Sequence, residues 1–317
     1  MHDVLICGTC VADILVKPVG LADAIGGGRL FHVDPIEVTT GGIVCNTGIA
    51  MRRLGMRVGA SSLVGSDPWG DTIRVRLAAE GIDVAAIETH ATLATSTTAV
   101  LIDPGGERSF AHHVGAPSAI DLAFIRRAVP HFGRCRMAVL GYHGLLPALE
   151  HDLAAAVQAV KAAGCQVAVE TAGSGGPFTP LAAALPHVDV YVPSLDEAVH
   201  QTGLTDPRAI VDRYRACGAP GLLGVKLGTR GTLLSPTAGE FLEIPCVPAP
   251  GPVADTTGAG DSFLAGLLTG LLRGMDVGHA SLLGAATAAC CVTGIGATAG
   301  LRGFEETLAV TGGGQGA

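Results

Sequence analysis

One short segment of the sequence combines acids, threonines and glycines in an order that suits phosphate chemistry. The segment is Ala254-Asp255-Thr256-Thr257-Gly258-Ala259-Gly260-Asp261-Ser262-Phe263, and an apolar run over 264–272 follows it. The leucine spacing in that run predicts a buried helix that begins close to Asp261. The first turn of a helix has unpaired N–H groups and a partial positive charge, so it binds anions such as phosphate. A carboxylate there can take a proton from an attacking hydroxyl, and capping of a core helix is the alternative role for Asp261.

Two further places have residue types that suit ligand binding. Asp13 closely follows the apolar run Val4-Leu5-Ile6-Cys7, which predicts a buried strand. Ligands of open α/β sheets bind outside the carboxyl ends of the strands, so this acid is a candidate for holding substrate hydroxyls, with a solvated loop as the alternative. Gly41-Gly42 lead into a predicted helix that contains Asn46 and ends at Gly55. Paired glycines at a helix entrance let a ligand approach the backbone closely.

The elements that must position these residues follow a regular rhythm of strands and helices. Strands are predicted over 4–7, 57–64, 137–140, 166–169, 188–192 and 222–227, with helical patterns between them. Residues 233–234 and 241–244 suggest an antiparallel edge. The alternation predicts βαβ units, and therefore an α/β fold with a mostly parallel central sheet and helices on both faces.

Four short predicted strands do not fit this rhythm. They cover 31–33, 36–38, 97–102 and 108–112, with turns predicted at Gly26-Gly27-Gly28 and at Asp103-Pro104-Gly105-Gly106. We predict that they form a small β-sheet lid, from about 13–40 and 97–113, on a single α/β domain covering 1–317. Because exposed edge strands tend to be paired or covered, the lid also predicts a homodimer.

Composition restricts the classes of partner. The formal net charge is -8, with 20 Lys and Arg against 28 Asp and Glu, so nucleic acid is not an expected partner. The first residues lack a signal-peptide pattern, and no apolar run reaches the roughly 18 residues that would span a bilayer. We expect a cytoplasmic protein with no membrane partner.

The cysteines and histidines give weak chemical signals. The nine cysteines are scattered, which favours reduced thiols over disulfides. Cys7 and Cys10 have C-x-x-C spacing at the end of a predicted strand, but no second pair completes a zinc set. Small residues at a strand end are therefore favoured over a redox or metal role. His112 and His113 would point to opposite faces of a strand, which argues against a shared metal.

Taken together, the motifs resemble those of the PfkB, or ribokinase-like, carbohydrate kinase family. The resemblance rests on Asp13, Gly41-Gly42 with Asn46, residues 227–231 and Asp255 to Asp261, in that order along the chain. Neither a Walker A pattern nor a G-x-G-x-x-G fingerprint is present, which disfavours P-loop and nicotinamide enzymes. The resemblance implies that Asp261 is the general base and that the amides of Gly258, Ala259 and Gly260 form an anion hole. It also implies that Asp13, Gly41, Gly42 and Asn46 grip sugar hydroxyls.

The same resemblance implies a nucleotide side and metal ions. ATP would lie near Lys226, Gly228, Thr229 and Gly231, with Gly284 beside its base. Asp255, Thr257, Gly296 and Gly300 resemble a monovalent-cation loop, where K⁺ would order the anion hole. The family's usual Asn-x-x-Glu is Ser194-Leu195-Asp196-Glu197 here. Ser194 has less hydrogen-bonding reach towards phosphate than Asn, and Glu197 is expected to act on Mg²⁺ through water.

A second departure from the family concerns the acceptor. Glu170-Thr171-Ala172-Gly173 stands where many sugar kinases have Asp-Pro-Asn-x-Arg after a strand. The sequence therefore predicts an ATP-dependent kinase of a sugar or sugar-like hydroxyl compound without fixing which one. A nucleoside kinase is the first alternative, with Phe31, Phe110, Tyr142 and His143 as candidates for holding a base. A non-catalytic sugar-binding regulator is the second.

Overall fold

The computed structural model describes residues 1–22, 27, 28 and 30–312. Of the turn predicted at 26–28, Gly26 lies outside the described residues. The strands of the described chain are β1 His2–Gly8, β2 Val11–Val16, β3 Glu37–Gly41, β4 Val58–Val64, β5 Asp83–Thr89, β6 Thr97–Ile102, β7 Arg108–His113, β8 Cys135–Gly141, β9 Gln166–Val169, β10 Val190–Tyr191, β11 Leu222–Lys226, β12 Thr232–Ser235 and β13 Leu242–Ile244.

A nine-stranded sheet forms the centre of the molecule. Its order is β13-β12-β11-β10-β9-β8-β1-β4-β5. Strands β1, β4, β5, β8, β9, β10 and β11 run parallel to one another, whereas β12 pairs antiparallel with both β11 and β13 and so forms an antiparallel edge. The predicted mostly parallel sheet with an antiparallel edge is thereby confirmed.

Helices cover both faces of this sheet. They are α1 Gly42–Arg53, α2 Pro68–Ala79, α3 Leu122–Phe132, α4 Leu153–Ala162, α5 Phe178–Ala184, α6 Leu195–Thr202, α7 Pro207–Arg215, α8 Ala259–Leu272, α9 Val277–Cys291 and α10 Phe304–Gly312. Strand β1 shows why two layers are needed, because its side chains alternate between two cores. Val4 and Ile6 pack with α1 and α8, whereas Leu5 and Cys7 pack with α3 and α4.

A second sheet of four strands has the order β3-β2-β6-β7. It corresponds to the predicted lid, but one predicted strand is wrong. Residues 31–33 form no strand, and β2 supplies the missing one, pairing antiparallel with β3 and parallel with β6. Asp13 therefore lies on a strand and not in a loop. The pattern did not reveal β2 because its side chains are mostly half-buried and an acid interrupts its apolar residues.

Helices α8 and α9 pack closely through small residues. A Cβ added to Gly266 would lie 2.7 Å from the Cα of Gly284, so neither position has room for a side chain. No helix in the described part of the chain is both long and apolar enough to cross a bilayer.

Candidate active site

The turn at the start of α8 has the features predicted for an anion site. Gly258 is the N-cap, with a φ of 78° that favours glycine, and a Cβ there would collide with Ala297. The Ala259 amide donates to the carbonyl of Thr256 at 3.2 Å. For the amides of Gly258, Gly260 and Asp261, no acceptor is recorded among the described residues. The open donors are therefore at 258, 260 and 261, and Ala259 is not one of them.

Asp261 is buried and its carboxylate is oriented by two donors. Asn46 Nδ2 and Tyr142 Oη donate to the same oxygen, Oδ2, at 2.8 and 2.7 Å. Within the described chain, Oδ1 accepts no hydrogen bond, so one oxygen is held and the other is open. Burial raises the pKa of Asp261, and the hydrogen bonds from Tyr142 and Asn46 oppose that rise. The residue is thus an oriented carboxylate with an elevated proton affinity, as a general base requires.

A buried ion pair lies on the other side of this turn. Lys226 Nζ is 2.5 Å from Glu170 Oε1, and the two side chains are 13% and 3% exposed. Burial raises the pKa of Glu170 to about 8, and the Lys226 charge opposes that rise. Burial lowers the pKa of Lys226, but the carboxylates of Glu170, Glu197 and Asp261 outweigh it and hold that pKa above its usual value. The ammonium is near the helix end, since a Cβ on Gly260 would lie 3.4 Å from Nζ.

One cavity, here called the lid cavity, lies between the small sheet and the helix-end turn. Its volume is about 860 Å³, and it is lined by Asp13, Gly41, Gly42 and Asn46 together with residues of β7. The four predicted substrate-binding residues are therefore brought together. Burial raises the pKa of Asp13, and a hydrogen bond with Thr98 opposes this.

Gly41 and Asn46 have specific places in the lid cavity. A side chain on Gly41 would run into the Asp13 carboxylate, so only glycine leaves that carboxylate its position. Asn46 donates a hydrogen bond from its side-chain amide nitrogen to Asp261. Its Oδ1 is buried without a partner among the described residues. An unpaired buried acceptor of this kind is suited to a hydroxyl from a bound ligand.

A second cavity, here called the cleft, lies on the opposite side of the helix-end turn. Its volume is about 430 Å³, and its lining includes Lys226, Gly228, Thr229 and Gly231, as predicted, with Ala259 and Gly260. Gly284 does not line it. That glycine faces Phe263 and Leu267 at the α8–α9 contact, whereas its neighbour Ala285 lines the cleft. The prediction placed the right helix in the site but chose a residue that serves helix packing.

Ser194 and Glu197 form a capping box at the start of α6. Ser194 Oγ accepts from the Glu197 amide at 3.4 Å, and Glu197 Oε2 accepts from the Ser194 amide at 2.7 Å. A backbone bridge to Lys226 puts Ser194 next to the cleft, although it does not line it. The described residues leave Glu197 Oε1 without a donor, so this oxygen is open to a water molecule of a hydrated Mg²⁺.

The predicted cation loop is occupied by protein donors. Asp255 Oδ1 accepts from the Thr257 amide at 2.9 Å, and Oδ2 accepts from the Gly296 amide at 2.6 Å and from Arg108. Gly300 is not in contact with this carboxylate and packs against the carbonyls of Cys290 and Cys291. Burial raises the pKa of Asp255, but the hydrogen bonds from Arg108 and the two amides outweigh it and lower the pKa overall.

Three residues of this site were missed as functional candidates or given other roles. Tyr142 and Glu170 directly follow β8 and β9, and Arg108 begins β7. For the first two, the available signal was their position at the carboxyl ends of neighbouring parallel strands. Tyr142 was considered only for holding a base, and Glu170 only as a departure from a motif.

The weak cysteine and histidine signals have structural explanations. Cys7 and Cys10 are buried free thiols, and burial raises their pKa values to about 12 and about 11. These are poor nucleophiles, which supports the interpretation as small residues at a strand end. His112 Nδ1 is 3.0 Å from Thr98 Oγ1, and no group of three metal-binding side chains occurs in the described ranges.

Comparison with known proteins identifies the family. The family model described as pfkB family carbohydrate kinase matches residues 1–302. The chain belongs to the pfkB family of carbohydrate kinases. The resemblance drawn from the motifs is thereby confirmed, as is the enzyme class of a phosphotransferase with an alcohol acceptor.

Individual members of the pfkB family match over most of their length. A fructokinase of Klebsiella pneumoniae is 32% identical over 278 residues, covering 84% of this chain and 83% of its own. An aminoimidazole riboside kinase of Salmonella typhimurium strain LT2 is 30% identical over 286 residues, covering 84% and 86%. The structure of Arabidopsis thaliana ribokinase complexed with ribose and ATP superposes with a TM-score of 0.82 at 22% identity, covering 98% of each chain. This last likeness supports the ribokinase-like fold.

Proposed function

We propose that this chain transfers the γ-phosphoryl group of ATP to a hydroxyl of a sugar or sugar-like compound. The observation that carries the proposal is the position of the helix-end turn between two cavities. Thr257 lines the lid cavity, whereas Thr256, Ala259 and Gly260 line the cleft. An acceptor in the lid cavity and a nucleotide in the cleft would therefore meet at this turn. Asp261 is next to it, held by Asn46 and Tyr142 of the lid-cavity lining.

Asp261 performs the proton transfer in this proposal. Its open Oδ1 removes the proton of the acceptor hydroxyl as that oxygen attacks the γ-phosphorus. The bond from phosphorus to the β,γ-bridging oxygen breaks, and ADP leaves. The amides of Gly258 and Gly260, together with the Lys226 ammonium, stabilise the negative charge on the transferred group.

The lid cavity binds the acceptor. Asp13 accepts hydrogen bonds from ligand hydroxyls, and the unpaired Oδ1 of Asn46 accepts another. Because Gly41 and Gly42 have no side chains, the ligand can lie directly against their backbone. These contacts require several hydroxyls on one molecule, which is the property of a sugar.

The cleft binds the nucleotide. Gly228, Thr229 and Gly231 form the turn beside it, and Ala285 takes the place next to the base that was predicted for Gly284. The Oε1 atom of Glu197 would hold Mg²⁺ through water, and the ion would neutralise charge on the phosphates. Ser194 contributes through its backbone bridge to Lys226 and through the capping box that orients Glu197.

A nucleoside acceptor is a second candidate, supported by the size of the lid cavity. A volume of about 860 Å³ lies in the range of about 300–1,000 Å³ that encloses drug-sized ligands, so a compound larger than a monosaccharide fits. Phe110, Val114 and Leu145 line the cavity with exposed apolar surface. Of the other aromatic candidates, Tyr142 is engaged with Asp261, and His143 is buried, with its pKa lowered by burial to about 4.

The test is an ADP-release panel of pentoses, hexoses, polyols and nucleosides, with ATP and Mg²⁺. We expect turnover with at least one of them, and Asp261→Asn serves as the inactive control. Stabilisation by nucleosides but not by sugars in a thermal-shift screen would select the second candidate. The absence of ADP release with every acceptor would contradict the proposal and favour a sugar-binding regulator.

A further inference from the structure

Arg108 reaches from the lid onto the loop that leads into α8. Its Nη2 lies 2.6 Å from Asp255 Oδ2, and its Nη1 donates to Thr257 Oγ1 at 2.7 Å. The Arg108 side chain is 17% exposed and that of Asp255 is 4% exposed, so the contact is largely shielded from solvent. Salt bridges of this kind are screened much less than surface pairs.

The oxygens of this loop do not fit the monovalent cation that the family resemblance implies. A cation needs oxygen atoms whose lone pairs face it, but both carboxylate oxygens of Asp255 accept amide N–H groups, and Oδ2 also faces Arg108. Thr257 Oγ1 accepts from Arg108 as well. The carbonyls of Thr257 and Ala297 lie 3.5 and 3.2 Å from the Cys291 thiol. A bound K⁺ would have to share this place with a guanidinium of the same charge.

We propose that Arg108 is the built-in cation of this loop and that it replaces K⁺ in holding the helix-end turn. The guanidinium neutralises Asp255, whose carboxylate binds the amides of Thr257 and Gly296 and so fixes the chain directly before Gly258. Arg108 is a positioning residue, because it acts on the phosphoryl group only through Asp255 and Thr257. This inference rests on the proposed function, in which that turn binds the transferred phosphoryl group.

Because Arg108 is on β7, its contact with Asp255 also links the lid to the helix-end turn. Strand β7 is at the edge of the lid, and Arg108 itself lines the lid cavity together with Phe110 and His112. One strand thus contacts both the acceptor space and the phosphate-binding turn. In this chain the lid must be in place for Asp255 to be neutralised, whereas a free ion would neutralise it with the lid in any position.

The first measurement needs no catalysis. The thermal midpoint of the wild-type chain is compared in KCl and in choline chloride at equal ionic strength, without substrates. We expect no difference, because the place of the ion is taken. A specific rise of the midpoint in KCl would overturn the proposal, and this holds even if the chain shows no kinase activity.

The second measurement is a double-mutant cycle on kcat with Arg108→Ala and Asp255→Asn. We expect each single change to lower kcat by up to about 100-fold, the effect of a small misplacement of catalytic groups. The double variant should be no worse than the worse single one, because both changes remove the same link. Additive losses, or a rise in acceptor KM at unchanged kcat, would mean that Arg108 acts on the acceptor and not on the loop.

Two further variants make the cycle interpretable. Arg127→Ala removes a similar pair with Glu88, but that pair is exposed at 56% and 41%, so kcat should stay at the wild-type value. Arg108→Lys keeps the charge but loses the two-pronged geometry, so its kcat should fall between wild type and Arg108→Ala. If Arg108→Ala does not fold, a wild-type kcat for Arg108→Lys would overturn the proposed two-point link.

Discussion

The hydroxyl of Tyr142 donates a hydrogen bond to Oδ2 of Asp261 at 2.7 Å, from a residue 119 positions earlier in the chain. Asn46 binds the same oxygen at 2.8 Å. Two donors on one oxygen fix the plane of the carboxylate, and Oδ1 has no donor among the described residues. They also stabilise the charged form and so limit the rise in pKa that burial causes.

Replacing Tyr142 by Phe should therefore change the pH dependence of the reaction. The base acts in its deprotonated form, so kcat falls as the pH drops through the Asp261 pKa. Loss of a hydrogen bond to the carboxylate raises that pKa further, and the acid limb of the kcat profile should move to higher pH. Tyr214→Phe, whose hydroxyl binds Gln201 instead, is the control. An acid limb that stays in place or moves to lower pH would contradict this role for Tyr142.

Asp261→Asn should lower kcat by about 10²- to 10⁴-fold, which is the usual contribution of a positioned base. The amide keeps the shape and can still bind Asn46, so the KM values for both substrates should stay near those of wild type. Steady-state ADP release measures both. Asp71→Asn, an exposed acid in the first turn of α2, is the matched control. A variant that keeps more than about a tenth of the wild-type rate would rule out Asp261 as the base.

The buried pair of Glu170 and Lys226 should be more important for stability than its surface counterparts. Glu170→Gln leaves a buried ammonium without its partner, which should lower the free energy of unfolding by about 3–5 kcal/mol. Lys161→Met breaks a partly exposed pair with Asp189 and should cost no more than about 1 kcal/mol. Denaturant titration measures both.

The double variant Glu170→Gln with Lys226→Met separates stability from catalysis. It removes both charges, so it should recover much of the stability that Glu170→Gln loses. Its kcat should remain low, because the positive charge next to the helix-end turn is gone. Recovery of kcat together with stability would show that Lys226 has only a structural role.

Gly41→Ala should weaken acceptor binding selectively. The new methyl group would displace the Asp13 carboxylate, so the acceptor KM should rise while the KM for ATP stays unchanged. Gly133→Ala is the control, because the nearest atoms to a Cβ there are 3.7 Å away. Asp13→Ala should raise the acceptor KM as well, and adding Gly41→Ala to it should have little further effect. An ATP-specific change would place Asp13 outside the acceptor site.

We also expect a homodimer through the lid, whose edges are β3 and β7. Light scattering at micromolar concentration should give twice the chain mass. Ala111→Lys puts a charge on β7 on the face opposite Phe110, and it should shift the population to monomer. Lys161→Met, on α4, is the control that should leave the mass unchanged. A wild-type chain that is monomeric at this concentration would contradict the expectation.

The local sequence pattern was sufficient to predict most of the strands and helices. Short apolar runs that alternate with helical patterns predicted the parallel sheet, and glycines marked the helix ends. Both signals are local, because a strand buried on both faces and a helix end each need particular residues within a few positions of one another. The same holds for the start of α8, where glycines and an acid precede an apolar helix. Two strands were not predicted. One is β2, whose apolar residues are interrupted by Asp13 and only partly buried. The other is the edge strand β5, in which only Ala86 and Ile87 are buried.

Gly284 shows where a local signal has two meanings. A small residue in a helix allows close approach either of a ligand or of another helix, and the sequence looks the same in both cases. In the structure Gly284 lies at the contact between α8 and α9, so its role is in helix packing.

The sequence by itself determined that a glycine-rich helix end with Asp261 exists, that strand ends surround it, and which family the motifs resemble. Only the tertiary structure decided which side chains meet there. Tyr142 reaches Asp261, Glu170 pairs with Lys226, and Arg108 pairs with Asp255, because strand order brings distant segments together. Contacts between distant segments depend on the packing of the whole sheet and lid, which no local spacing of residues encodes.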